Sequence, residues 1–167
     1  EAVAVLDGGL SAWRQAELPL TAELPVARSA TFEARPDDRL WLTTARVQAL
    51  SKDDLLVDAR AAARYRGEME PIDPVAGHIP GAVNLPTEDN LAADGHFRPV
   101  AELRARFLAV LEGRAPTAVV HNCGSGVTAC HNLLAMEAAG LSGSRLYAGS
   151  WSEWIRDPSR PVATGAA

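Results

Sequence analysis

The sequence predicts an α/β fold in which a parallel central sheet is flanked by helices. Short apolar runs rich in β-branched residues alternate with segments of helical periodicity, and glycines or prolines separate them. Parallel strands need such crossover helices, because each strand must start at the same end of the sheet. In sheets of this kind ligands bind beyond the carboxyl ends of the strands, so functional residues are expected there.

The individual elements follow from the same patterns in chain order. Strands are predicted over residues 55–58, 81–85, 117–121 and 145–147. The first long helix is predicted to start at Pro99, and a second helical pattern covers residues 128–139. The apolar face of the first of these helices is predicted to consist of Val100, Leu103, Phe107 and Val110.

A partial internal repeat indicates how the chain is divided. In both copies a short strand is predicted to meet a glycine turn and then a short helix with a tryptophan. The identities share one offset and pair Gly8 with Gly149, Ser11 with Ser152 and Trp13 with Trp154. We interpret residues 1–22 as the closing piece of a first domain, 23–39 as a proline-containing linker and 40–167 as the complete domain.

The composition argues against several classes of partner. Hydrophobic residues make up 47% of the 167 residues, charged residues make up 22%, and the net charge is −5, as in ordinary soluble domains. No apolar run approaches the ~20 residues that span a bilayer, and no basic stripe is present, so neither a membrane nor a nucleic acid is expected as a partner. Two cysteines do not make a disulfide framework, which favours a reducing, cytoplasmic location.

Cys123 is the strongest functional candidate. It follows the β-branched residues 119–120 and precedes a helical segment, so its thiol is predicted to lie at a strand-to-helix turn. Backbone N–H groups converge at such a turn, and the helix dipole favours an anion there. Gly124 and Gly126 would let the main chain form a ring of donors around the sulfur. This layout predicts a sulfur nucleophile.

Other interpretations of the cysteines are less favoured. Cys130 lies inside the predicted helix and is interpreted as a small buried hydrophobic residue rather than as a resolving thiol. A zinc site formed by Cys123, Cys130, His121 and His131 is rejected, because the spacing matches no finger or ribbon. We therefore predict neither a metal nor another cofactor.

Several short motifs of the chain occur together in one known family. They are residues 57–60, 64–67, 70–71, 77–86, 123–128 and 149–154. As a set they resemble the rhodanese superfamily of sulfurtransferases, and specifically the second, catalytic domain of a tandem enzyme, over about residues 40–165. The resemblance implies a rhodanese-like three-layer fold with a parallel central sheet. The loop Cys-Gly-Ser-Gly-Val-Thr resembles the 3-mercaptopyruvate branch of the family.

The resemblance implies a double displacement without a cofactor. The thiolate of Cys123 would take the sulfane sulfur of a small anionic donor, 3-mercaptopyruvate in preference to thiosulfate, and become a persulfide. A thiol acceptor such as thioredoxin, or cyanide, would then remove that sulfur. The first rhodanese domain, missing from this chain, would be a further partner.

The resemblance also suggests roles for single residues. Arg64 resembles the arginine that binds the substrate anion, a task that suits a planar guanidinium. Asp58 and Arg60 are interpreted as structural support for the loop. The catalytic residues would be Cys123 and Ser125, the serine as a proton relay with the first domain, and the active-site loop would add Gly124, Gly126, Val127 and Thr128. Ile72 stands where mercaptopyruvate enzymes often have a second arginine, which is a departure from the pattern.

Two other functions are compatible with a cysteine loop in this fold class: a cysteine phosphatase and a non-catalytic binding module. A cysteine phosphatase of the same fold needs an arginine six residues after the cysteine, and that position is Ala129. A non-catalytic or regulatory module that binds anions or partner proteins is the alternative from a different class. Retention of Cys123 and its whole loop argues for the enzyme.

Overall fold

A four-stranded parallel sheet forms the centre of the protein in the computed structural model, which describes residues 3–26 and 29–166. The strands are β1 (Leu55–Asp58), β2 (Val83–Asn84), β3 (Val119–Asn122) and β4 (Arg145–Leu146), arranged in the order β2-β1-β3-β4. All three pairings are parallel, which confirms the predicted α/β class.

Short and medium-length helices precede, connect and follow the strands. They are α1 (Gly9–Gln15), α2 (Thr44–Gln48), α3 (Ala62–Tyr65), α4 (Val100–Leu111), α5 (Val127–Ala138) and α6 (Ser150–Trp154), with 3₁₀ turns at Thr87–Asn90 and Pro116–Ala118. Within the described ranges no helix has the length and apolar character needed to cross a membrane.

The sheet separates two apolar clusters, so the domain has three layers. Successive residues of β1 face opposite sides, with Leu55 and Val57 in one cluster and Leu56 in the other. The first cluster fills the space under α4 and α5, and the second contains both Trp151 and Trp154 of α6. Full burial of each large apolar side chain contributes about 1.5–3 kcal/mol, so these clusters dominate the stability.

Several strands are shorter than the sequence predicts. β2 pairs with β1 at only two positions, because the Ala82 N–H donates to the Ile79 carbonyl and closes a turn just before the strand. β3 begins two residues later than predicted and ends one later, because residues 116–118 form a 3₁₀ turn. β1 has the predicted bounds.

The inner face of α4 differs from the predicted one in its first turn. Leu103, Phe107 and Leu111 are buried at a spacing of four residues, whereas Val100 is 58% exposed. The prediction for Val100 was therefore wrong, and Leu111 takes a place in the core that the pattern did not assign to it.

The two repeat copies share a helix with a tethered tryptophan but differ before it. The Trp13 indole N–H donates to the Pro19 carbonyl at 3.0 Å, and the Trp154 indole N–H donates to the Pro161 carbonyl at 2.9 Å. Residues 3–6 form no strand, although one was predicted there, and α1 buries none of its residues. The division of the chain at residues 22 and 39 stays a prediction.

His121 is a buried histidine in the middle of the sheet. Its Nε2 lies 3.2 Å from the Met136 sulfur, and Nδ1 has no hydrogen-bond partner among the described residues. Burial lowers the pKa of His121 from 6.5 to about 3, because the charged imidazolium would lose its hydration. The imidazole is therefore neutral in the folded protein at any pH above about 3.

We predict that His121 makes the fold sensitive to mild acid. The unfolded chain binds a proton at His121 below pH 6.5, whereas the folded protein does so only near pH 3, so stability is lost as the pH falls through that interval. The full slope is about 1.4 kcal/mol per pH unit. Denaturant unfolding between pH 7 and 4.5 should show a flatter profile for His121→Leu than for the natural chain. Equal slopes for His121→Leu and for the natural chain would contradict the assignment.

Candidate active site

Cys123 lies directly after β3, where the chain turns into α5. The whole residue is only 1% exposed, and its Sγ accepts a hydrogen bond from the Gly126 N–H at 3.1 Å. This is the one amide bond to Sγ among the described residues, so the predicted ring of several donors is corrected to a single donor. The sulfur still lies just before the amino end of α5, where the helix dipole stabilises a negative charge.

The carbonyl groups of the turn point away from the sulfur, toward α6. The Trp151 N–H donates to the Cys123 carbonyl at 3.0 Å, and the Ser152 N–H donates to the Gly124 carbonyl at 2.9 Å. At the same turn the Cys123 N–H donates to the Ser150 hydroxyl at 3.0 Å. Helix α6 therefore sets the orientation of the peptide groups around the thiol.

Gly126 is the glycine that this turn requires. Its φ is +84°, and a Cβ there would lie 2.5 Å from the Ala148 carbonyl oxygen. Gly124 differs, because a Cβ there would meet only ordinary contacts, 3.7 Å from both terminal nitrogens of Arg64. The same distances show that the Arg64 guanidinium lies against the cysteine loop.

Arg64, at the end of α3, presents one free edge of its guanidinium. Its Nη2 donates to Glu70 Oε1 at 2.6 Å and to Asp73 Oδ2 at 3.2 Å, and its Nε also donates to Glu70. Nη1 takes part in none of the hydrogen bonds formed within the described part of the chain. The side chain is 15% exposed, so this nitrogen can meet an anion in a partly desolvated setting.

Glu70 is a nearly buried carboxylate that joins both arginines of the site. Its side chain is 3% exposed and contacts Arg60 Nη1 at 3.3 Å as well as Arg64. Burial opposes its ionisation, but the hydrogen bond from Arg64 and the backbone N–H bonds from Asp73 and Ile72 outweigh burial. The pKa of Glu70 is therefore lowered from its usual value.

Asp58 and Arg60 form a buried ion pair at the carboxyl end of β1. Arg60 Nη2 lies 2.7 Å from Asp58 Oδ2 and also donates to the Gly77 carbonyl at 2.8 Å. The Arg60 guanidinium lies over the Trp151 ring at 4.9 Å. Asp58 accepts one loop N–H, that of Arg60, and otherwise binds the guanidinium. These contacts join β1, the segment before Gly77, and α6.

The remaining residues of the predicted loop are exposed. Ser125, Val127 and Thr128 face solvent, with Val127 73% exposed. Ile72 is 74% exposed, so an apolar side chain in contact with solvent stands at the position of the family's second arginine. The relay role of Ser125 stays a prediction.

The prediction that Cys130 belongs to the core was wrong. Cys130 is exposed, and its thiol donates to the Gly126 carbonyl one turn earlier at 3.4 Å. The buried face of α5 is formed by Ala129, Asn132, Ala135 and Met136. Cys130 follows Ala129 by one residue, which rotates it about 100° toward solvent.

The cysteines and histidines near the loop do not converge. His121 contacts Met136, and His131 Nδ1 lies 3.2 Å from Asn90 Nδ2. Across residues 3–26 and 29–166 no three His, Cys, Asp or Glu side chains form a set that could hold a metal ion.

A cavity of about 820 Å³ lies elsewhere on the domain, around the start of β1. Its wall includes Leu55, Ile79, Val110 and Trp154, and none of the predicted site residues. The candidate site is instead the place where the cysteine loop meets Arg64.

Sequence analysis did not identify two polar residues of this surface. Asp73 contacts Arg64, and Ser152 contacts the Gly124 carbonyl through both its N–H and its hydroxyl. Ser152 belongs to the repeat and to a family motif, which was an available signal. Nothing in the sequence pattern distinguishes Asp73 from a surface aspartate.

We predict that Gly126→Ala disrupts the turn while Gly124→Ala is tolerated. Alanine at position 126 combines an unfavourable positive φ with overlap on the Ala148 carbonyl, which should cost at least about 2 kcal/mol of unfolding free energy. Thermal and denaturant unfolding of both variants would measure this. Equal stability of the two variants would show that the turn does not have this geometry.

Comparison with known proteins identifies the family. A model described as the rhodanese-like domain matches residues 43–157. A probable 3-mercaptopyruvate sulfurtransferase of Pseudomonas aeruginosa is 55% identical over 99% of this chain and 59% of that protein. A putative thiosulfate sulfurtransferase of Mycobacterium tuberculosis is 40% identical over 99% of this chain and 58% of that protein. Human 3-mercaptopyruvate sulfurtransferase is 38% identical over 92% of this chain and 52% of that protein.

The chain therefore spans between about half and three fifths of the length of these relatives. The crystal structure of an anaerobic ergothioneine biosynthesis enzyme from Chlorobium limicola has a TM-score of 0.88, covering 100% of this chain and 42% of that chain. Its sequence is 24% identical, so it supports the fold alone. The family match over residues 43–157 and the observed parallel sheet agree, and the chain belongs to the rhodanese-like domain family.

Proposed function

We propose that this chain carries the catalytic site of a sulfurtransferase that uses 3-mercaptopyruvate in preference to thiosulfate. One observation carries the proposal. The Cys123 sulfur accepts a hydrogen bond from the Gly126 N–H, and the Arg64 guanidinium is held against the loop that contains it. A nucleophile next to a fixed cation is what attack on a small anionic sulfur donor needs. The names of the relatives support the reaction, and the 55% identical one favours 3-mercaptopyruvate.

In the first half-reaction the donor anion binds Arg64 and its outer sulfur meets the Cys123 thiolate. A new sulfur–sulfur bond forms on Cys123. With 3-mercaptopyruvate the carbon–sulfur bond breaks, its electron pair stays on carbon, and a proton completes pyruvate. With thiosulfate the sulfur–sulfur bond of the donor breaks and sulfite leaves with the electron pair. The Gly126 N–H and the dipole of α5 stabilise a negatively charged sulfur before and after transfer.

In the second half-reaction an acceptor removes the outer sulfur and restores the thiolate. A small thiol, reduced thioredoxin or cyanide attacks that sulfur, and the bond to Cys123 breaks. Both cysteines of the chain are free thiols, which suits a reducing compartment such as the cytoplasm.

We further propose that a first rhodanese domain completes the enzyme. Residues 1–22 would then be its closing piece, tethered by the Trp13–Pro19 bond as Trp154–Pro161 tethers the end of the second domain. The exposed apolar side chains of this segment, Leu6 and Leu10 among them, would be covered by that domain. Ser125 is exposed on the loop and would relay a proton together with residues of that first domain.

We predict that Cys123→Ser abolishes sulfur transfer from both donors, because a hydroxyl cannot accept and release the sulfur. Incubation of the natural chain with a donor should add the mass of one sulfur atom, and cyanide should remove it as thiocyanate. Cys130→Ser is the matched control and should still gain that mass. Turnover by Cys123→Ser, or no mass change with either donor, would favour the binding-module alternative.

We predict that Arg64→Ala mainly raises the KM of the anionic donor. Loss of a charge-assisted contact should raise KM roughly 10–100-fold. Arg66→Ala is the control, because Arg66 forms an exposed pair with Glu68 in the same segment. Steady-state kinetics with each donor would measure the effect, and an unchanged KM would remove the anion-binding role. For the natural chain, the ratio of kcat/KM with 3-mercaptopyruvate to kcat/KM with thiosulfate tests the preference for 3-mercaptopyruvate.

A further inference from the structure

We propose that Asp73 and Ser152 are positioning residues that hold the anion-binding arginine at a fixed place relative to the thiol loop. Asp73 would also weaken the hold of Arg64 on the donor, so that it determines affinity and rate in opposite directions. The inference rests on the proposed function, since it concerns the same site.

Asp73 bridges the two halves of the site with its two carboxylate oxygens. Oδ2 accepts from Arg64 Nη2 at 3.2 Å, and Oδ1 accepts from the Ser152 hydroxyl at 2.8 Å. The Asp73 side chain is 9% exposed, so both contacts are shielded from water. One small carboxylate thereby contacts the arginine and the helix that orients the cysteine loop.

Ser152 continues the bridge to the loop itself. Its hydroxyl oxygen lies 2.7 Å from the Gly124 carbonyl, and its N–H donates to the same carbonyl at 2.9 Å. A hydroxyl has one proton, so it shares that proton between Asp73 and Gly124 or favours the charged oxygen. The path from Arg64 to the residue next to Cys123 thus runs through two side chains.

The local sequence aims Asp73 inward. Glu70 Oε1 accepts the N–H groups of Ile72 and Asp73, both at 3.1 Å, and this closes a tight turn after Pro71. The turn sends Ile72 outward, where it is 74% exposed, and brings Asp73 against Arg64. The residue that replaces the family's second arginine is therefore followed by the carboxylate that binds the first one.

Residues 68–77 and 123–127 have one further polar link through α6, because the Trp151 indole N–H donates to the Val75 carbonyl at 2.9 Å and the Trp151 backbone N–H donates to the Cys123 carbonyl. Neither of these two hydrogen bonds involves the Arg64 side chain, whereas the Asp73–Ser152 bridge binds it directly. Among the hydrogen bonds of the described residues, none joins the backbone of residues 68–77 directly to the backbone of residues 123–127. Transfer needs the donor sulfur about 3–3.5 Å from Sγ, and a 1 Å misplacement can cost about 100-fold in rate. A donor anchored on Arg64 would lose this alignment if the bridge were broken.

The charge of Asp73 has a second effect. Two guanidinium groups of the site, Arg60 and Arg64, face three carboxylates, those of Asp58, Glu70 and Asp73. A negative charge 3.2 Å from Arg64 Nη2 repels an incoming anion. Removal of that charge should therefore tighten donor binding even as alignment is lost.

Steady-state kinetics of Asp73→Asn and Ser152→Ala test the bridge. We expect Asp73→Asn to lower kcat by about tenfold or more and to lower the donor KM, because asparagine carries no charge. Ser152→Ala should lower kcat by a similar factor with KM within about twofold, and Ser152→Thr should restore most of the rate. The double variant should be no slower than the slower single variant by more than about threefold, since both changes break one path. Glu68→Gln, on the same segment but paired only with exposed Arg66, is the control.

Alkylation of Cys123 tests the charge effect without any sulfur transfer. In a Cys130→Ser background, the rate ratio of iodoacetate to iodoacetamide should rise about threefold or more in Asp73→Asn and stay unchanged in Glu68→Gln. Unchanged ratios, or a kcat within about twofold of the natural chain in a folded Asp73→Asn protein, would overturn the proposal. Multiplicative losses in the double variant would overturn it as well. Suppose that neither the natural chain nor any variant transfers sulfur, while the ratio of the two alkylation rates still rises in Asp73→Asn. The proposed function would then fail, and the charge role of Asp73 would stand.

Discussion

The site depends on the direction in which the peptide groups after β3 point. Helix α6 captures the carbonyls of Cys123 and Gly124 with its own N–H groups, so these oxygens cannot face the sulfur. The Gly126 N–H is left to do so, in a backbone conformation that a side chain would not permit. A thiol surrounded by carbonyls would be a poor place for negative charge, because the partial charges would repel. The chemistry of the loop therefore follows from a helix that begins more than twenty residues later in the chain.

A buried network of ions fixes the other half of the site. Arg60 and Asp58 are both almost fully removed from water, and such pairs contribute little net stability because desolvation offsets their attraction. The contribution of this ion pair to the site is to hold its side chains in a fixed geometry. Through Glu70 the network holds Arg64 with two of its nitrogens engaged, so the guanidinium cannot swing into solvent. Because the guanidinium is already held in place, the anion contact proposed for its remaining nitrogen would have a low entropic cost.

The sequence predicted the features that arise from local patterns. β1 is buried on both faces, so its apolar run has clear limits and the predicted bounds are those observed. The turn with Cys123 at the end of a strand was also predictable, since glycines mark it. Cys130 and Val100 were placed wrongly, because a shift of one helical position decides between core and solvent and the pattern tolerates either.

Contacts between distant segments had no signal in the sequence. Asp73 and Ser152 are separated by 79 residues, and their meeting depends on how α6 and the segment after α3 pack on the same sheet edge. The number of amides that reach Sγ was likewise not readable from glycine content alone. It depends on which carbonyls α6 captures, and that is settled only by packing.

The near-complete burial of Cys123 has a consequence for the fate of any sulfur stored on it. If Cys123 carries the persulfide proposed above, bulk oxidants and stray thiols would reach it rarely, whereas the neighbouring thiol of Cys130 is exposed to them. Discharge would then require a reagent slim enough to enter, or a protein that offers its thiol on a protruding tip. Burial of this kind would make the sulfur accessible only to acceptors of suitable shape.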